Sequence, residues 1–532
     1  MDTLFLSATE IAAQIKTGAL SASDVVEAHI QRIEQVNPCL NAVVFPMFDQ
    51  ARQEAKAADA AQHRGEMLGP LHGVPITIKE ALLVKGTPTT FGLPNQHMHR
   101  AEKDGPLVSR LRQAGAIILG KTNVSQLTIY IESDNPLYGR TNNPWDLKRS
   151  PGGSSGGEAA IIAAGGSALG LGADFGGSIR EPAHFCGIHG FKPTSGRLTM
   201  QDTRYDLFAV GQEGILAQCG PMARTVADLA LAMNVLAAPG LDGIDAAIPP
   251  VIWRDPANVT VKGLRVAFYT DDGYFPAAPA LRRAVQEAAE ALRSRGAQVE
   301  EWSPPNVAEA VQLFFGLATA DGGVLYKRAL RQDKIAPQIA DLIRIGSLPR
   351  ALRNTIASLM QLGGQSRLPA VLRSIGNRSA LEYWELVEAR TNYRQKFLQA
   401  MDAGQYDVIL CPPTSLPAIL HGSTANLPDF DSYARLYNLL GMPAGVVAAT
   451  RVRAGEESER VPSRDLVENA ARAVETGSIG LPIGVQVVGR HWRGDVVLSV
   501  MAALEEHFIV LADYPSRPPL EGYLSSNQGN QS

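Results

Sequence analysis

The chain has 532 residues, in which 49 lysines and arginines nearly balance 53 aspartates and glutamates. This length allows a large buried core, and the balanced charge, without a basic block or stripe, argues against a nucleic-acid partner. Four scattered cysteines and the absence of an apolar run of about eighteen residues predict a cytoplasmic protein with neither a disulfide framework nor a transmembrane segment.

The first predicted elements are helices within residues 8–35, where isoleucines and valines recur at helical spacing. Ser21 and Ser23 each offer an N-cap to the second of these helices. A short apolar strand then leads to Lys79, and another is predicted at 116–119. In α/β enzymes, sites are usually built where such strands end.

The second half of the chain alternates predicted strands with predicted helices, which indicates an α/β fold. The strands are at 264–269, 407–411, 445–449 and 483–488, and the helices are near 279–295, 379–402 and 494–507. Residues 245–262 and 454–478 are interpreted as surface insertions, and no internal repeat is found. We therefore expect one domain over 1–532, with its motifs concentrated in a core at about 70–230.

Two glycine-rich segments are candidates for a catalytic site. Ser150–Glu158 contains Ser154, and Asp174–Arg180 contains Ser178, 24 residues later. A nucleophilic serine needs a base and backbone N–H groups directed at the developing oxyanion, and glycines allow the backbone to come close. Such segments are also found in structural turns, in phosphate-binding loops and in the nucleophile elbow, which Gly152–Gly156 fits.

The composition of these segments weakens two of the alternatives. No Gly-Lys-Ser/Thr follows at the spacing of a phosphate-binding loop, and no downstream acid and histidine pair completes a nucleophile elbow. From the residues alone, however, a catalytic site and a purely structural turn remain open alternatives.

Three separated motifs, taken together, resemble those of the amidase signature family. They are the two glycine-rich segments and Gly73–Lys79, in which a lysine follows a Gly-Val-Pro-apolar strand. The resemblance extends over about residues 5–510 and includes Gly220–Arg224, Tyr437–Gly445 and Gly480–Gln486.

Within this family the chain is most similar to the fatty acid amide hydrolase branch. The segments that carry this similarity are Thr122–Gln126, Asn135–Gly139 and 436–440. Many other members have glutamate in place of Gln126 and aspartate in place of Glu80, which weakens any narrow substrate assignment.

The resemblance implies a single large domain with a central mixed β-sheet flanked by helices on both faces. It also implies hydrolysis of linear amides through an acyl-enzyme, without a cofactor. Ser178 would attack the carbonyl, and Ser154, after a cis Gly153–Ser154 peptide, would pass the proton to Lys79. Burial beside apolar residues would lower the pKa of that lysine, as its role as a base requires.

Further roles follow from the same resemblance. Backbone N–H groups of the second glycine-rich segment would form the oxyanion hole, three residues would brace the loops, and two would bind substrate. The oxyanion hole is assigned to Phe175, Gly176, Gly177 and Ser178, the bracing role to Ser155, Asp174 and Arg180, and substrate binding to Thr128 and Ile129.

The cluster His184, Cys186 and His189 superficially resembles a set of metal ligands. It lacks a fourth ligand and fits no zinc spacing, so we expect neither a metal nor a cofactor. A structural role for these three residues is the preferred interpretation.

Residues 337–375, the lid segment, are rich in leucine and isoleucine. Four side chains fall on one helical face, namely Leu348, Leu352, Ile356 and Leu359. In the family branch resembled, this region is a membrane-touching cap, whereas an ordinary amphipathic helix would pack on the core. We favour a soluble lid over the substrate channel and do not favour peripheral membrane contact. The part of the lid around Leu348–Leu362 is predicted to line this channel together with Thr128 and Ile129.

The favoured function is hydrolysis of small-molecule amides with an apolar acyl or aryl group, with esters and carbamates as further substrates because they share the acyl-transfer step. The alternative is the amidase subunit of a tRNA-dependent glutamine amidotransferase, which would require partner subunits. An inactive scaffold is disfavoured by the complete set of Ser178, Ser154 and Lys79. The sequence leaves open whether the protein is a monomer or a homodimer.

Overall fold

The computed structural model of the chain describes residues 3–521. Eleven of its strands form one mixed sheet in the order β1-β3-β2-β6-β8-β7-β12-β13-β11-β9-β10, and β4 pairs with β5 in a separate hairpin. The strands are β1 (Val43–Pro46), β2 (Pro75–Lys79), β3 (Ile117–Thr122), β4 (Asp134–Asn135), β5 (Gly139–Arg140), β6 (Leu169–Asp174), β7 (His189–Lys192), β8 (Gln218–Ala223), β9 (Arg265–Phe268), β10 (Gln298–Glu301), β11 (Val408–Cys411), β12 (Ala444–Arg451) and β13 (Pro482–Gly489).

Seventeen α-helices accompany the strands within the described residues. They are α1 (Ala8–Lys16), α2 (Ala22–Leu40), α3 (Phe48–His63), α4 (Pro106–Gln113), α5 (Gly156–Ala163), α6 (Arg180–Cys186), α7 (Val226–Leu236), α8 (Pro279–Ser294), α9 (Val307–Ala318), α10 (Val324–Leu330), α11 (Pro337–Gly346), α12 (Arg350–Leu362), α13 (Arg367–Ser374), α14 (Ala380–Ala403), α15 (Ser432–Leu440), α16 (Leu466–Glu475) and α17 (Gly494–Phe508).

The predicted α/β class, with a mixed sheet and helices on both faces, is confirmed. The four strands predicted in the second half begin and end within a few residues of their predicted bounds, because each is a mainly apolar run in the buried part of the sheet. β10 lies outside these predictions, because it is a largely polar and exposed strand at the edge of the sheet. The cap of α2 is Ser21, whose hydroxyl accepts a hydrogen bond from the Asp24 N–H at 2.9 Å. Ser23 instead donates its hydroxyl to Asp59.

Two neighbouring parallel strands bring the candidate residues to one edge of the sheet. β2 pairs in parallel with β6, so the carboxyl ends of both strands, at Lys79 and Asp174, point the same way. The two glycine-rich loops lie at this edge, since α5 begins directly after Ser155 and α6 begins at Arg180. The sheet thus presents the lysine and both serine-bearing loops at the place where α/β folds build their sites.

The lid segment is helical, but its apolar residues do not face the core as one surface. Leu352 and Leu359 of α12 are 47% and 63% exposed, while Arg353 and Ala357 are buried. The Arg353 guanidinium donates to the Leu348 carbonyl at 2.5 Å, which gives this buried cation an acceptor in the segment just before the helix. Helical spacing identified an apolar stripe, but it could not show which side of the helix is covered.

The segment 454–478 is not simply a surface insertion. It contains α16, whose inward face is buried against the rest of the molecule through Val467, Ala471 and Val474. Among residues 3–521, none of the helices combines the length and the apolar composition needed to cross a membrane.

Candidate active site

Lys79 is the last residue of β2 and is completely buried. Its Nζ lies 2.8 Å from Ser154 Oγ and 2.9 Å from the Ala173 carbonyl oxygen. Burial lowers the pKa of Lys79 to about 7, although the negative charges of Asp174 and Glu158 oppose this shift. Near neutral pH a large fraction of Lys79 is therefore uncharged and able to accept a proton.

Ser154 follows a cis Gly153–Ser154 peptide bond, as the resemblance implies, and its side chain is buried. The loop here is tightly enclosed, because a Cβ on Gly153 would lie 2.6 Å from the Glu132 nitrogen and 2.7 Å from the Tyr130 carbonyl oxygen. Only glycine fits at this position without displacing backbone. The loop thereby holds the Ser154 hydroxyl against the lysine.

Ser178 is half-buried at the surface of a cavity, and its carbonyl oxygen accepts a hydrogen bond of 3.2 Å from the Ser155 N–H. This backbone contact joins the two glycine-rich loops. Within residues 3–521, the Ser178 hydroxyl makes no hydrogen bond. The hydrogen bond between Lys79 and Ser154 is therefore present, but a hydrogen bond between Ser154 and Ser178 is not. Catalytic hydrogen bonds often tighten only when substrate is bound.

The turn before Ser178 presents backbone donors to the same cavity. In the described part of the chain, no acceptor is found for the N–H groups of Phe175, Gly176 and Ser178. The Gly177 N–H, by contrast, donates to Asp174 Oδ1 at 2.8 Å. The resemblance assigns four backbone N–H groups to an oxyanion hole. Three of them are thus free, and the fourth, that of Gly177, is hydrogen-bonded to a carboxylate.

Asp174 and Arg180 form a fully buried ion pair beneath this turn, with Arg180 Nε 3.0 Å from Asp174 Oδ2. Burial alone would raise the pKa of Asp174, but Arg180 and the Asn438 amide hold it well below its usual range. Gln486 accepts from the other side of the guanidinium at 2.7 Å. These contacts fix the turn, since a buried ion pair needs its remaining hydrogen-bonding groups satisfied.

Sequence reasoning missed three buried polar residues in this network. Asn438 and Gln486 lie within motifs that carry the family resemblance, and a polar residue inside an apolar run was the available signal. Glu158 accepts the Thr122 hydroxyl at 2.6 Å, and burial raises its pKa to about 7. Nothing in the local sequence pattern distinguishes this glutamate from an exposed helical one.

The predicted loop-bracing residue Ser155 lies between the two strands and the loops. Its hydroxyl donates to the Ala173 carbonyl oxygen at 3.3 Å, the same oxygen that lies 2.9 Å from Lys79 Nζ. Its N–H holds the Ser178 carbonyl, as described above. Ser155 therefore contacts both the carbonyl group beside Lys79 and the loop that carries Ser178.

The family model described as Amidase matches residues 24–498 of the chain. The chain belongs to the amidase family. Together with its relatives, this match shows an enzyme that hydrolyses amide bonds. The family predicted from the three motifs is thereby confirmed.

The most similar relatives include proteins of two kinds. The amidase is 34% identical over 507 residues to fatty-acid amide hydrolase 1 of Sus scrofa, which covers 94% of this chain and 86% of that protein. It is 32% identical over 536 residues to a glutamyl-tRNA(Gln) amidotransferase subunit of Streptomyces coelicolor, covering 97% of this chain and 98% of that one. A solved fatty acid amide hydrolase superposes with a TM-score of 0.83 at 28% identity, over 96% of this chain and 86% of that one.

Two cavities of the amidase adjoin the turn that carries Ser178. The smaller cavity, of about 190 Å³, is lined by Ser178 itself, and the larger cavity, of about 420 Å³, lies beside it. Both are lined mainly by apolar side chains. Among the side chains that the structure describes, five line both cavities, namely Thr128, Ile129, Phe175, Ala318 and Tyr326.

The lid segment contributes to the wall of the smaller cavity, although not through the stretch expected from the sequence. The contributing apolar side chains come from α11 and from α13 and its end: Ile339, Ile345, Leu368, Val371, Leu372 and Ile375. Leu348–Leu362, predicted to line the channel, lines neither cavity, because α12 turns its leucines outward.

The three residues that superficially resemble a set of metal ligands have separate hydrogen-bond partners. His184 Nδ1 accepts from the Gly484 N–H at 2.9 Å, and its Nε2 contacts the Leu416 carbonyl. His189 Nδ1 accepts from the Ala448 N–H, and the Cys186 thiol lies against the Pro151 carbonyl. Among the described residues, no group of three His, Cys, Asp or Glu side chains is arranged to hold a metal ion.

Proposed function

We propose that this amidase hydrolyses linear amides with an apolar acyl or aryl part, using Ser178, Ser154 and Lys79. The observation that carries the proposal is the 2.8 Å contact between Lys79 Nζ and Ser154 Oγ, beside a loop that exposes Ser178 to an apolar cavity. A serine nucleophile needs a base that is uncharged at working pH, and the buried lysine supplies one.

In this mechanism the Ser178 oxygen attacks the amide carbonyl while its proton passes to Ser154 and from there to Lys79. The N–H groups of Phe175, Gly176 and Ser178, with a share from Gly177, receive the oxyanion. The proton then returns along the same groups to the leaving amine, because an amine must be protonated to depart. Water hydrolyses the acyl-enzyme by the reverse sequence, which regenerates the serine.

Two observations support an apolar substrate. The smaller cavity is lined by the rings of Phe314 and Phe315 and by apolar residues of the lid segment. Thr128 and Ile129 lie where the two cavities meet, which supports their assignment to substrate binding.

Esters and carbamates would pass through the same acyl-enzyme and are included in the proposal. A screen of acyl amides, anilides, esters and carbamates on the purified protein tests it.

The second candidate is the amidase subunit of a tRNA-dependent amidotransferase. The observation in its favour is the similarity to the Streptomyces coelicolor protein over nearly the whole of both chains. Affinity purification from the native source distinguishes the candidates, because this function requires stable partner subunits. A protein that purifies without such partners and hydrolyses simple anilides supports the first candidate.

Catalytic efficiency should rise with the length of the acyl chain until the cavities are full. Each buried methylene contributes about 0.8 kcal/mol, which corresponds to about a fourfold gain in kcat/KM per carbon. The measurement is kcat/KM for anilides from acetyl to dodecanoyl. Leu372→Ser, in the cavity wall, should weaken the preference for long chains, whereas Leu359→Ser, exposed on α12, should not. A flat profile, or equal effects of both changes, would contradict an apolar acyl site.

Activity should also rise with pH through about 7. Lys79 must lose its proton to act as a base, and burial lowers its pKa to about that value. Below this pKa, kcat/KM should fall by about tenfold per pH unit. A pH profile of kcat/KM for a neutral anilide measures this dependence. The residual activity of Lys79→Met should lack the same inflection, and an identical inflection in that variant would assign it to another group.

A further inference from the structure

A buried carboxyl group near Lys79 has no part in the proposed mechanism. Glu158 lies in the first turn of α5 and is completely buried. Its Oε2 accepts the Thr122 hydroxyl at 2.6 Å, and its Oε1 accepts the Thr77 hydroxyl. A Cβ on Gly170 would lie 1.9 Å from Glu158 Oε1, so the carboxyl group lies directly on the sheet at β6. These contacts hold it in one position.

Strand geometry places Lys79 and Glu158 on the same face of the sheet. Thr77 and Lys79 are two residues apart on β2, so their side chains project from one face. Thr122 pairs with Lys79 between the parallel strands β3 and β2. Because both threonines donate to Glu158, its carboxyl group lies on the face from which Lys79 projects. Ser154, which contacts Lys79 Nζ, lies in the loop that leads directly into α5.

The charges of Glu158 and Lys79 depend on one another near neutral pH. Burial raises the pKa of Glu158 to about 7, although the two threonine hydroxyls and the charge of Lys79 oppose this. Burial lowers the pKa of Lys79 to about 7, although Asp174 and Glu158 oppose this. An ionised Glu158 therefore favours the ammonium form of the lysine, and a protonated Glu158 favours the free amine.

Two further titratable groups act on Lys79, and each keeps one charge state near neutral pH. Against the effect of burial, the ion pair with Arg180 holds the pKa of Asp174 well below its usual range. Burial raises the pKa of the Cys219 thiol on β8 well above its usual value, so this thiol stays uncharged. Among the described groups that act on Lys79, Glu158 is the one whose charge changes in this pH range.

The helices that pack against α5 carry groups whose charge is equally constant near neutral pH. Burial lowers the pKa of both histidines to about 4 and raises that of the glutamate well above its usual value, while the arginines stay charged. These groups are His29 and Arg32 on α2, and Arg180, Glu181 and His184 on α6.

We infer that Glu158 is a positioning residue for the proposed reaction, because its carboxylate stabilises the ammonium that Lys79 becomes when it takes the proton of Ser178. The inference rests on the proposed function and refines it. Glu158 lines neither cavity, so it acts through the lysine and not on the substrate. A carboxylate beside the lysine makes it a stronger base, and it also raises the pH above which the free amine is available. Glu158 thereby sets the pH range of amide hydrolysis.

The pH profile of kcat/KM for a neutral anilide tests this role. Glu158→Gln should move the inflection to lower pH by about one unit and lower the plateau at high pH severalfold. Thr122→Val removes a donor that stabilises the carboxylate, so it should move the inflection in the same direction by less. Combined with Glu158→Gln it should cause no further shift. A role confined to packing would lower kcat/KM at every pH without moving the inflection.

Asp228→Asn is the matched control for the loss of a buried carboxylate. Asp228 is also completely buried, and it accepts the Thr9 N–H and hydroxyl at 2.8 Å each. It lies on α7 and is not among the groups that act on Lys79. This variant should therefore keep the wild-type inflection even if its melting temperature falls.

Carbon NMR of enzyme labelled at the lysine Cε atoms separates this inference from the proposed function. The Lys79 signal is identified by its absence from Lys79→Met, and its titration reports the pKa of Lys79 without substrate. A titration that moves to lower pH in Glu158→Gln, in an enzyme that hydrolyses no amide, would reject the proposed function and keep the inference. Amide hydrolysis with one inflection shared by the wild type, Glu158→Gln and Thr122→Val would overturn the inference. If Glu158→Gln shows no cooperative melting transition, the nearly isosteric Thr122→Val decides between these outcomes.

Discussion

Replacing Ser178 with alanine is expected to lower amide turnover by about 10³-fold or more and to prevent covalent labelling by fluorophosphonates. Ser178 lines the smaller cavity, whereas Ser154 is buried against Lys79 and is placed for proton transfer. Steady-state rates on an anilide measure the first effect, and intact-protein mass after exposure to the reagent measures the second.

The control for this variant is Ser167→Ala. Ser167 is also buried, but it donates to the Leu169 carbonyl and lines neither cavity, so labelling and turnover should be retained. A stoichiometric adduct on Ser178→Ala would show that another residue is the nucleophile. Retained labelling of Ser154→Ala, at a slower rate, would fit its role as a relay.

Much of the fold follows from local patterns in the sequence. The strand that leads to Lys79 is a short run that is apolar except for Thr77, and such runs can be recognised because both faces of a central strand are buried. The family could be recognised from the two glycine-rich turns that contain Ser154 and Ser178, because close packing of these turns restricts the residues that fit there. The candidate serines and the lysine could therefore be identified without knowledge of the tertiary structure.

The remaining features depend on contacts between distant parts of the chain. The sequence shows leucines at helical spacing in α12, but only the packed structure shows that Arg353 is covered and Leu359 is not. Lys79 and Glu158 belong to different motifs. Their effect on one another arises from shared burial, which no local pattern records.

The second large effect is expected from Lys79→Met, which should depress amide hydrolysis by about 10²- to 10⁴-fold and ester hydrolysis by much less. An amine leaves only after it is protonated, and the proposed route for that proton runs from Lys79 through Ser154. A phenoxide or activated alkoxide leaves without protonation, so the loss of the Lys79 amine should slow ester hydrolysis much less. Matched amide and ester substrates with the same acyl group provide the measurement, as the ratio of their kcat/KM values in each protein.

Lys121→Met is the appropriate control for this change. Lys121 is also completely buried, and burial lowers its pKa to about 8, but its ammonium donates to Pro88 and Thr89 and contacts neither serine. Removing it takes away another fully buried lysine while leaving the relay intact, so the ratio of amide to ester rates should stay near the wild-type value. Equal losses on amide and ester in Lys79→Met would contradict the relay, because a lysine that merely supports the loop would affect both reactions through Ser178 alike.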